Sequence, residues 1–90
     1  MDVKEAVAKA KDYTADLFAQ EQLSDLALEE VEYNEPSNEW LVTLGFSRPW
    51  DKPYFTVKGL PAPRLPRSYK IVRVSDSSGR VISVKNREFN

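Results

Sequence analysis

Ninety residues, 41% hydrophobic, 30% charged and 11% aromatic, suit one globular domain and exclude both a disordered chain and two separate cores. With no cysteine and no histidine, the chain has no disulfide framework, no thiolate or imidazole metal ligand, and neither of the commonest catalytic groups. The net charge of −1 conceals a division: residues 1–47 hold three basic and eleven acidic residues, net −8, whereas residues 48–90 hold ten basic and three acidic, net +7.

A helix is expected over residues 3–21. Asp2, followed three residues later by Glu5, resembles a capping box that satisfies free N–H groups at a helix start. Val3, Ala6, Val7, Ala10, Tyr13, Thr14, Leu17 and Phe18 then recur at spacings of three and four, leaving Lys4, Glu5, Lys9, Lys11, Asp12 and Asp16 on the rest of the wheel. This charged pattern lacks the apolar core of a signal peptide, and no apolar run reaches the roughly 18 to 20 residues of a membrane span. No membrane partner is therefore expected, and the cytoplasm is the expected compartment.

Four strands follow, at about 26–33, 39–47, 68–75 and 80–86. In the first, Leu26, Leu28, Val31 and Tyr33 alternate with acids, and the slip of phase at Glu29 and Glu30 suggests a bulge. Glu35 to Glu39 supply a turn around Pro36. The second strand places Trp40, Val42, Leu44 and Phe46 on one face, expected against the helix, with Leu41, Thr43, Gly45 and Ser47 on the other. Strands three and four read as a hairpin joined by Ser75 to Gly79, with Gly79 in the left-handed conformation; Ile71, Val72, Val74, Val81, Ile82 and Val84 are expected to complete the core. Residues 48–67, holding five of the six prolines, form a long insertion between strands two and three. The fold class is α+β: one N-terminal amphipathic helix packed on a four-stranded antiparallel meander sheet.

One helix followed by a meander that closes in "YKIVRVSDSSGRVISVK" resembles the cystatin-like superfamily and, within bacteria, PepSY-like domains. That resemblance implies a small binding or inhibitory domain. The insertion departs from the PepSY-like pattern, in which this connection is short.

Catalysis is not expected. No phosphate-cradling glycine motif can be assembled from glycines at 45, 59 and 79. The acids Glu29, Glu30, Glu32 and Glu35 read as a solvated strand face, with a weak Ca²⁺ or Mg²⁺ site as the sharper alternative, and no cofactor or metal is assigned. Lys70 with Arg80 or Lys85 could form cross-strand ion pairs with the acidic strand. The basic half also offers a weak nucleic-acid surface, against which the pI of about 5.4 argues.

The favoured reading is a non-catalytic protein-binding or inhibitory module acting on an unknown protein partner through residues 48–67. Trp50, Tyr54 and Phe55 would anchor, and Arg64 and Arg67 would pair with acids, in keeping with the residue bias of binding hot spots. A self-associating structural domain, a homodimer placing each basic half on the other's acidic half, is the alternative. Weak nucleic-acid binding ranks third.

Overall fold

The computed structural model describes residues 1–49 and 68–87. The helix α1 spans Val3–Leu17, and a short 3₁₀ turn, Ala19–Glu21, leads into the strands β1 (Ser24–Asn34), β2 (Glu39–Ser47), β3 (Ser68–Ser75) and β4 (Val81–Asn86). The strands form one antiparallel sheet in the order β1-β2-β3-β4, and α1 touches all four. Among the described elements α1 is the sole layer on the sheet, so the described residues form an α+β fold with a covered face and an open one.

Asp2 caps α1: its carboxylate accepts the Glu5 N–H at 2.8 Å, occupying one of the donors that the first turn leaves free. The apolar period runs on through Leu17 and Phe18, yet the helix stops at Leu17. Phe18 leaves the helical conformation, and Gln22, at φ 52°, turns the chain back towards β1. The helix is therefore shorter than the 3–21 expected, because the reversal needed to start the sheet outweighs the remaining periodicity.

The seam between helix and sheet is narrower than the apolar stripe. Ala6, Ala10 and Thr14 are fully buried, whereas Val3, Tyr13 and Leu17 are exposed. Small side chains at i, i+4 and i+8 bring the helix axis close to the sheet, and the larger ones flank the contact. Ala10 packs with Val42, Leu44, Val72 and Val74, and Met1, Val7, Leu26, Val31, Trp40, Val81 and Val84 close the sides of the core.

Thr14 brings a cost into this seam. Its Oγ1 is buried and has no hydrogen-bond partner. Thr14→Val keeps the shape and removes an unsatisfied polar atom, so it is expected to raise stability by about 1 kcal/mol. Urea unfolding of the two proteins checks this; a loss of stability would show that the hydroxyl is satisfied in solution.

Irregularities set which side chains face inward. β1 shifts register between Ser24 and Ala27 and again between Leu28 and Glu30, so the slip at Glu29 is a bulge. On the hairpin, Val72 faces Val84, Arg73 faces Ser83 and Val74 faces Val81, which leaves Ile82 as the extra residue of a second bulge. Ile82 is accordingly about half exposed (49%), while Val81 and Val84 both pack inward. Ile71 pairs with Thr43 and shares the open face with it. Neither isoleucine belongs to the core in which they were expected. At the hairpin tip Gly79 adopts φ 70°, which a side chain would strain, and its N–H bonds the Ser75 carbonyl at 2.9 Å.

Candidate functional site

Two regions bring chemically useful side chains together. The first is the end of the sheet where β2 finishes and β3 begins. The ladder between them runs to Phe46 opposite Ser68. Just beyond it, Arg48 donates to Ser68 Oγ at 2.9 Å and to Glu21 Oε1 at 3.1 Å, so one guanidinium ties the exit of β2 to the entry of β3 and to the turn after α1. The same guanidinium lies 5.8 Å from the ring centroid of the fully buried Phe46. Phe46 in turn packs on Phe18 at 5.7 Å between centroids, and the Lys70 ammonium lies 5.7 Å from the Phe18 ring. The result is a layered stack of two cations and two aromatic rings, held at both chain ends of the segment that follows Arg48.

Of that segment, Arg48 and Pro49 are described. Trp50, Tyr54, Phe55, Arg64 and Arg67, the residues assigned to partner binding from sequence, lie outside the described residues. Sequence reasoning took Arg48 as the start of a loop and missed its role as a clamp. The available signal was an arginine directly after a strand, which is too common to single out.

The second region is the open face of the sheet. Reading across the register, Glu32, Leu41, Arg73 and Ser83 form one row, and Glu30, Thr43, Ile71 and Lys85 the next. Leu41 and Ile71 sit half-buried at the middle. On one side of them Arg73 grips Glu39 by two bonds of 2.7 Å each, and on the other Arg87 reaches Glu30 at 3.3 Å. Two shallow depressions, of about 390 and 190 Å³, share Leu41 and Ile71 in their linings.

These pairs account for the charge division. Arg48–Glu21, Arg73–Glu39 and Arg87–Glu30 each join a base of the second half to an acid of the first. The basic members differ from the Lys70, Arg80 and Lys85 expected. Lys70 lies over Phe18 and bonds Asn86 Oδ1 instead. Strand order is the reason: β4 stands at the edge opposite β1, and the long Arg87 side chain bridges that distance.

Arg73 holds the Glu39 carboxyl below the usual carboxylate range, chiefly through its hydrogen bonds, against a desolvation that pushes the other way. Asp76 is lowered too, first by the Trp40 indole N–H at 2.9 Å and then, against desolvation, by the Met1 amino group at 3.3 Å. The bonded pairs therefore bind protons only in acid. No three acidic side chains converge on a cation site among the described residues.

A third concavity, of about 420 Å³, runs between α1 and β1 and is lined by Val3, Val7, Ala8, Leu28 and Val31 with Lys4 and Lys11 at its rim.

Comparison of the chain with family models, with curated proteins and with solved structures returns no match. Among the described residues no helix is long and apolar enough to cross a membrane.

Proposed function

We propose that the chain is a non-catalytic protein-binding or inhibitory module whose contact segment is residues 48–67. The observation that carries this reading is the clamp at Arg48. Neighbouring antiparallel strands need a connection of only about two to five residues. Here β2 ends at Ser47 and β3 begins at Ser68, while Arg48 bonds Ser68 across the gap. A long chain excursion leaving from and returning to one braced point of a rigid sheet is the usual way a fold carries a recognition element. Its composition agrees: Trp50, Tyr54, Phe55, Arg64 and Arg67 supply the aromatic and guanidinium groups that dominate binding hot spots. The resemblance to cystatin-like and PepSY-like domains points the same way.

Nucleic-acid binding is the weaker reading, since Arg73 and Arg87 are already engaged by Glu39 and Glu30 and lend little free positive charge to a phosphate backbone.

Affinity capture from the native cell tests the proposal, with wild-type protein compared against Trp50→Ala/Arg64→Ala. Loss of two hot-spot side chains is expected to weaken the specific partner by at least about 30-fold, which follows from about 2 kcal/mol or more. Thermal melts of both proteins show whether the variant keeps its fold. An identical set of captured proteins would overturn the assignment of residues 48–67 as the contact.

A further inference from the structure

We propose that the open face of the sheet is a self-association surface, and that it binds a second copy of this chain about a two-fold axis running parallel to the strands. The face has the layout of a small interface, with Leu41 and Ile71 at the centre and the ion pairs Glu39–Arg73 and Glu30–Arg87 along its two ends. Its edges are of opposite sign. Glu32 stands on β1 at one side and Lys85 on β4 at the other; both are exposed, and neither makes an ion pair among the described residues.

Symmetry then selects the arrangement. A face-to-face pair related by a two-fold perpendicular to the strands stacks β1 on β1 and sets Glu32 against Glu32. A two-fold parallel to the strands stacks β1 of each copy over β4 of the other, and β2 over β3. It brings Glu32 of each copy towards Lys85 of the other, twice, and Leu41 to within one row of Ile71. The two charged residues sit one row apart, about 7 Å along the strand, a step that the lysine side chain covers. Sheets packed this way lie about 10 Å apart with strands aligned to within about 30°, a spacing that the ends of Leu41 and Ile71 fill from both sides. An unrelated partner would have to supply this pattern; a second copy carries it already.

The face is small. Four strands about 4.8 Å apart and three or four rows give an outline of roughly 400 Å², half of what a standard interface buries per partner. The dimer is therefore weak, dependent on concentration and sensitive to salt.

Charge reversal at the two edges tests this, using sedimentation velocity of the full chain from micromolar to millimolar concentration. Both sites are exposed, so the variants fold. Glu32→Lys alone and Lys85→Glu alone each place like charges together twice and should weaken association about tenfold. The double exchange Glu32→Lys/Lys85→Glu should restore it to within about threefold, and 0.5 M salt should weaken the wild type. A wild-type monomer throughout the concentration range would overturn the proposal, as would single exchanges without effect or a double exchange that fails to restore. Residues 48–67 are intact in all these variants, so failure here is separate from failure of the binding reading.

Discussion

Phe46→Ala is expected to remove about 3 to 5 kcal/mol of stability and to lower the melting temperature by roughly 15 °C or more. Among the described residues Phe46 is the largest fully buried side chain, so its truncation leaves a large void. Its ring supports Phe18 on one side and lies under the Arg48 guanidinium on the other. The void therefore opens where the last turn of α1 meets the end of β2, and Arg48 loses the surface that orients it towards Ser68 and Glu21. For a domain of this size, whose total stability lies in the range of about 5 to 10 kcal/mol, such a loss approaches unfolding at body temperature. Thermal melts followed by far-ultraviolet circular dichroism measure it. Leu17→Ala, at a side chain that is mostly exposed, serves as the control and should change stability by less than about 1 kcal/mol. If the two substitutions cost the same, the aromatic contact is not part of the core.

The order of elements was legible in the sequence because each apolar period is long enough to identify itself. Trp40, Val42, Leu44 and Phe46 alternate without a break, and three of the four are fully buried on the helix side. Asp2 and Gly79 announced a helix start and a turn, and the structure uses both in those roles. Where two β-branched residues stand side by side, the phase of alternation is hidden. Ile71 before Val72, and Ile82 after Val81, could each face either way until the register decides. At Ile82 the register itself slips by one residue, which no local pattern reports.

Long-range contacts were less legible than elements. The Glu39–Arg73 pair joins residues 34 apart in sequence and depends on β2 and β3 aligning so that Glu39 faces Ser75 and Arg73 faces Leu41. The charge division correctly announced that the two halves attract, but side-chain reach and strand order chose the partners. Asp76 illustrates the same limit: read from sequence as a turn former, it is also the acceptor that ties the Trp40 indole and the Met1 amino group to the hairpin.

Acid is expected to destabilise the protein in a narrow window, and the same two carboxylates decide where. Glu39 and Asp76 both have folded-state pKa values below their ordinary ones, Glu39 through Arg73 and Asp76 through Trp40. In the unfolded chain they take up protons near pH 4; in the folded chain they resist until the pH is lower. Between those limits the unfolded state binds more protons, so stability rises with pH. Their contribution is complete above about pH 5 and is lost as the pH falls through the lowered folded values. Urea midpoints at pH 7, 5, 4 and 3 should therefore be level from 7 to 5 and drop steeply below. Glu39→Gln/Asp76→Asn removes the titrating groups, so this variant should start from a lower midpoint at pH 7 and show a shallower acid limb. Arg73→Ala separates the pair from the proton. It strands the Glu39 carboxylate, only 7% exposed, without its guanidinium, and so should be more destabilising at pH 7 than Glu39→Ala/Arg73→Ala, in which nothing charged is left unpaired. Equal losses in the single and double variants would mean that Glu39 is solvated without Arg73, and that the acid limb belongs to Asp76 and its bond to Trp40. The fluorescence of Trp40 should then shift at the same pH as the urea midpoint, since protonating Asp76 removes the acceptor of the indole N–H.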